Sequence, residues 1–184
     1  MIRRALAAVI GRARPRVTAC DVGYELMDLA ETGGECYRAD SMEAFFDAHA
    51  GAHIDFVEQD LFAAFEESAK AGRTVAGYVS LRFTRRSSAL LAMQRWDVTC
   101  SVEVALLKGI EGNAEVLNTL ELAALQRGGT IHWGQRNGTD AAAVAASYPE
   151  LERWRKRLTE IIGDGRPGTF DNDFCSARGL EPQP

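Results

Sequence analysis

The chain has 184 residues, 46% of them hydrophobic, and a net charge of −5. That length suits one domain, or one domain with a tail, and the apolar content excludes a disordered chain. The acidic balance gives no reason to expect nucleic-acid binding.

Residues 1–16, MIRRALAAVIGRARPR, hold five arginines and no acid, and the other 16 basic and 26 acidic residues leave −10. A basic lead of this kind is either a solvated or partner-facing helix or a peripheral membrane contact. It is too short and too charged to span a bilayer, and nothing else in the chain reads as a transmembrane segment. Cys20, Cys36, Cys100 and Cys175 form no CxxC pair. Their spacing fits reduced thiols in a cytoplasmic protein and gives no zinc ligand set.

Residues 17–36 read as a short strand and a turn at Gly33-Gly34. Ser41 is then expected to cap a helix over MEAFFDAHA, with Phe45 and Phe46 on its apolar side and Gly51 past its end. HIDFVEQ alternates Ile54, Phe56 and Glu58, as a half-buried strand does. DLFAAFEESAKAG places Leu61, Phe62, Phe65 and Ala69 at helical spacing and closes on Gly72.

Two strands follow. TVAGYVSLRFT sets Val79, Leu81 and Phe83 opposite Tyr78, Ser80, Arg82 and Thr84, and WDVTCSVEVALL sets Val98, Cys100, Val102 and Val104 opposite Thr99, Ser101 and Glu103. Paired as a hairpin, they carry Arg82 and Glu103 among hydroxyls on one face. That face is either a solvated surface with a cross-strand ion pair or a platform for a ligand. NAEVLNTLELAALQRGG is an amphipathic helix ended by Gly128, TIHW is short and extended, and GTDAAAVAASYP and ELERWRKRLTEII are helices. The tail from Gly163 reads as loop. The sum predicts an α+β fold, an antiparallel sheet with helices on one face, over residues 17–184.

His49 and His53 have the spacing of two metal ligands on a helix, but Gly51 stands between them and no third ligand is near. GGTIHWGQRNG, Gly128 to Gly138, packs His132, Trp133 and Gln135 between glycines. An imidazole can act as acid, base or hydrogen-bond donor near neutral pH, and Gly134 leaves room for a backbone or flat ligand to approach. The alternative is a structural turn anchored by a buried tryptophan. No GxGxxG follows a strand, and GxxxxGK[ST] and GxSxG patterns are absent, so this chain on its own carries no recognisable nucleotide site or hydrolase elbow.

His132-Trp133-Gly134-Gln135, then Tyr148-Pro149, then Phe170, Asn172 and Phe174 resemble, in order, the C-terminal region of flavin-linked oxidases of the vanillyl-alcohol-oxidase type, closest to the aldonolactone and alditol oxidase branch. The likeness runs from about Thr74 to Leu180 and is faint from Ile54 to Gly72. It implies a ferredoxin-like cap domain working with an FAD-binding domain in cis or trans, on a small alcohol, polyol or lactone. By carry-over, Arg82, His132 and Gln135 would be catalytic. Ser80, Glu103 and Trp133 would contact substrate, and Gly134 and Asn172 would lie toward FAD. The branch's lysine after His-Trp-Gly is Gln135 here, and its acidic residue two before the arginine is Ser80, with Glu103 able to supply the carboxylate from the neighbouring strand. Those departures leave the substrate open between a lactone or polyol and a bulkier alcohol such as a sterol. The isolated chain is expected to be inactive without its flavin domain.

Overall fold

In the computed structural model, which describes residues 38–163 and 172–182, the stretch expected to be a helix capped by Ser41 is instead a strand, β1 (Ala39–Asp47). The expected lead over 1–16, the strand and turn over 17–36, and Phe170 lie outside the described residues. In β1, Met42, Ala44 and Phe46 point to the core while Ser41, Glu43 and Phe45 point the other way, the period of two that a strand requires. Asp47 ends it by accepting a hydrogen bond from the His49 N–H at 2.9 Å, and Gly51, at φ 77°, turns the chain in a conformation that favours glycine.

The stretch expected to be a strand, HIDFVEQ, is helical. The run comprises α1 (Ala52–Asp55), a π-helical turn (Phe56–Leu61) and α2 (Phe62–Lys70). The wider π turn brings residues five apart onto one side, which is how Phe56 and Leu61 both reach the core with 0% and 1% exposure. His49 precedes the helix in the turn and His53 packs edge-on against Phe83 at 5.8 Å, so the two do not form a ligand pair. Among the described residues, no group of three or more His, Cys, Asp or Glu is placed to hold a metal ion.

Next come β2 (Gly77–Arg85), β3 (Val98–Leu107), α3 (Asn113–Gln126), β4 (Thr130–Ile131), α4 (Ala141–Ser147) and α5 (Leu151–Ile162). The tail expected to be loop contains a short helix, α6 (Asp173–Ala177). The fold is α+β. Its antiparallel sheet has the order β2-β3-β1-β4, which with the β-α-β-β-α-β sequence is the ferredoxin-like arrangement.

The helical run before β2 and α3 cover one face of the sheet. Val116, Leu117, Leu120 and Ala124 of α3 meet Met42, Ala44, Phe46, Val102 and Val104. Each buried leucine or valine contributes roughly 1.5–3 kcal/mol, so this face holds the domain together. Gly77 is needed at the start of β2 because a Cβ there would stand 1.9 Å from the Ala105 carbonyl oxygen. A second cluster gathers Val144, Tyr148, Leu151 and Leu180 with Trp133 and Trp154 packed against it. Among the described residues no helix is long and apolar enough to cross a membrane.

Candidate functional site

The second face of the sheet is polar, and it is largely buried. Thr99, Ser101 and Glu103 of β3 and Glu43 of β1 are all at most 7% exposed. The register explains their meeting. Glu43 lies directly opposite Glu103, Ser80 lies opposite Glu103 on the other side, and Arg82 is opposite Ser101. Two carboxylates facing each other across a ladder repel. Arg82 resolves this by donating to both, at 3.1 Å to Glu43 Oε1 and 2.5 Å to Glu103 Oε2.

Glu103 accepts three further hydrogen bonds, each at 3.2 Å, from Tyr78 Oη, Ser80 Oγ and Gln135 Nε2. Burial works against its charge, but the bond and charge of Arg82, helped by Ser80 and Tyr78, hold the carboxyl below the usual carboxylate range. The Tyr78 phenol is pushed up, first by desolvation and then by the Glu103 charge, and stays neutral. Arg82 is held more firmly protonated by its bond to Glu103.

The loop after β4 is laid along β1. The His132 N–H donates to the Glu43 carbonyl at 2.9 Å and the Arg136 N–H to the Ser41 carbonyl at 3.0 Å. This brings His132 and Gln135 over the carboxylate row. His132 Nδ1 accepts from the Gly134 N–H at 2.9 Å, which assigns the proton of a neutral imidazole to Nε2, 3.9 Å from Glu43 Oε2. The ring also stacks on Phe45, centroids 6.0 Å apart. Gln135 Oε1 is buried and has no partner among the described residues, a vacancy that costs about 1–3 kcal/mol. Gly134 is exposed, its φ is not positive, and a Cβ there would meet only the His132 ring, at 3.4 Å. The fold itself therefore does not need glycine at this position.

Of the residues singled out in sequence, Ser80, Arg82, Glu103, His132 and Gln135 come together, with Gly134 beside them. Trp133 and Asn172 do not join them. Trp133 turns into the second cluster, where its indole N–H donates to the Leu91 carbonyl at 3.0 Å and its ring stacks on Tyr148 at 5.0 Å. Asn172 caps α6, its Oδ1 accepting from the Cys175 N–H at 3.0 Å. Two members are not among the site residues the sequence suggests, Glu43 and Tyr78. The alternation of Met42, Ala44 and Phe46 against Glu43 and Phe45 is the signal that could have found Glu43. Tyr78 stands in the same row as Ser80 and Arg82, two residues before the serine.

This is an α+β domain that presents a charged, hydrogen-bonded cluster on the sheet face its long helices leave uncovered. No protein-family model matches the chain, and no curated protein matches its sequence.

Proposed function

We propose that this domain is the substrate-binding cap of an FAD-linked oxidase of the aldonolactone and alditol oxidase type, acting with a flavin-binding domain in cis or trans. The observation that carries this is the convergence of Arg82, Glu103, Gln135 and His132 on one sheet face, with Gln135 Oε1 lacking a partner among the described residues and the exposed Gly134 next to it in the chain. Bound FAD supplies the acceptor for a hydride leaving the substrate carbon. The chain's residues fit contact with a flat ring and its substrate, and among the described residues no GxGxxG loop joins a strand to a helix to hold a pyrophosphate, so the dinucleotide would be held by the flavin domain.

In this role Arg82, 53% exposed, offers its remaining donors to a substrate oxygen and stabilises the negative charge that grows there. Gln135 Oε1 would accept a hydrogen bond from the substrate hydroxyl and orient it, the proton itself leaving to solvent water. Glu103, with four donors on its two oxygens, is a positioning residue that fixes Arg82 and Gln135. His132 holds its lone pair on the Gly134 N–H and so orients the loop. One arginine against two carboxylates favours a neutral alcohol, polyol or lactone over an acidic substrate.

The test is hydrogen peroxide release by the chain combined with its flavin domain, over a panel of polyols, lactones and sterols. Turnover with the pair and neither part alone is the expected result, and Arg82→Ala should lower kcat about 10²–10³-fold. Activity within a few-fold of the parent for Arg82→Ala, or no flavin bound by the pair, would overturn the assignment. The packing of Trp133 favours a second reading, a stand-alone binding or dimerisation module in which His-Trp-Gly is a turn anchored by tryptophan. Under that reading no flavin partner is found.

A further inference from the structure

Away from the carboxylate cluster, a groove of about 610 Å³ opens between the β2–β3 connection and the start of α5. That volume falls within the ~300–1,000 Å³ typical of small-molecule sites. Its wall carries three arginines, Arg86, Arg95 and Arg153, against one acid, Glu150. Arg95 is the unusual one. It is half-buried, its guanidinium lies 4.2 Å over the Trp96 ring, and its hydrogen bonds go to the carbonyls of Ser147 and Gly128. Among the described residues it has no carboxylate partner, and its Nε is buried with no acceptor. Cations withdrawn from water are ordinarily paired with an anion, and the described residues provide none.

The other two arginines are free to turn. Arg153 meets Glu150 at 3.1 Å and Arg86 meets Asp97 at 4.0 Å, and all four side chains are at least half exposed. Such pairs contribute about 0–1 kcal/mol and give way to a better-placed anion. Ser87 and Ser88 line the same groove, and α5 begins beside it with no side chain capping its first turn. Trp96, Tyr148 and Leu90 add apolar wall.

We infer that this groove binds a small molecule carrying a carboxylate or phosphate on an apolar body, with Arg95 as its counter-charge and Arg86 and Arg153 closing from the rim. The inference is independent of the flavin reading, since none of these residues belongs to the sheet-face cluster.

The experiment is a ¹H–¹⁵N titration of the full chain with sodium phosphate and, separately, sodium benzoate, against sodium chloride at matched ionic strength. Saturable shifts confined to the groove, with Kd at or below about 1 mM for at least one of the two anions and none for chloride, are expected. Saturation by phosphate alone assigns a phosphate ligand, and saturation by benzoate alone a carboxylate. The exposed double variant Arg86→Ser/Arg153→Ser should weaken binding about tenfold or more, and it decides the matter even if Arg95→Gln fails to fold. Shifts that rise linearly as with chloride, that centre elsewhere, or that the double variant leaves within twofold would overturn the proposal.

Discussion

Arg82→Met removes the cation that stands between two carboxylates facing each other across β1 and β3. In the native protein the Glu103 carboxyl is held below its ordinary value, net of the burial that opposes its charge. Its stabilising contribution is therefore present above the unfolded value, near 4.3, and is lost as pH falls through the folded one. In the variant the sign reverses. One of the facing carboxyls must hold a proton, its folded value rises above the unfolded one, and stability grows as pH falls. The loss caused by the substitution is thus greatest at neutral pH and shrinks on acidification. Removing one partner of a fully buried pair costs about 3–5 kcal/mol. Arg82 is 53% exposed, so water screens part of this, and about 1–3 kcal/mol is expected at pH 7. For a domain of this size that is about 3–10 °C in Tm. Thermal unfolding of both proteins at pH 7 and about pH 4.5 measures it, and the gap at the lower pH should be less than half the gap at the higher. A gap that is unchanged or widens on acidification would refute the charge argument, as would no loss at pH 7.

Two glycines should behave oppositely. Gly77→Ala forces a Cβ to within 1.9 Å of the Ala105 carbonyl oxygen and should break the β2–β3 pairing, visible as aggregation or a loss of at least about 2 kcal/mol in urea unfolding. Gly134→Ala meets only the His132 ring at 3.4 Å, so stability should hold or rise by about 0.4–1 kcal/mol, while under the proposed function peroxide release with the flavin domain falls. The Cys100 thiol, fully buried and pushed by burial to about 11, should resist iodoacetamide at pH 8 in the native protein and react on unfolding. Peptide mapping that finds Cys100 alkylated under native conditions would contradict its place in the core.

The β2–β3 hairpin was readable because two clean alternations sit side by side. The pairs Ser80–Glu103, Arg82–Ser101 and Thr84–Thr99 follow once the polar rows are matched. The helices over 113–126 and 151–162 are readable from their three- and four-residue spacings, and the one over 141–147 from its short run closed by Pro149. Residues 41–58 were not. Adjacent Phe45 and Phe46 satisfy a helix stripe as well as a strand, and only long-range pairing with β3 decides between them. Gly51 resembles a helix end in sequence, yet its left-handed turn precedes a helix. The π turn then spaces Phe56 and Leu61 by five, which fits neither ordinary period. Read as a helix, this segment gives no reason to pair Glu43 with Glu103, and the third member of the charge cluster stays hidden. Asn172 was likewise assigned to a cofactor because its motif drew attention from a plainer signal, an asparagine ahead of a short helix.

A last perturbation separates a structural role for the cluster from a functional one. If Arg82 merely staples the sheet, the two buried glutamates are an awkward substrate for a staple, since apolar residues of like volume would do the same work at less cost. Replacing buried ion clusters by apolar side chains is often neutral or stabilising by about 1–4 kcal/mol. The triple variant Glu43→Leu/Arg82→Met/Glu103→Leu removes the facing charges together and leaves Tyr78, which is 55% exposed, free to turn to water. Its Tm should match or exceed that of the native chain, while Arg82→Met alone lowers it. Under the proposed function, peroxide release with the flavin domain should be lost in both. A triple variant as unstable as the single one would mean that the sheet needs these charges to fold, and the cluster would then lose its claim as a site kept at the expense of stability.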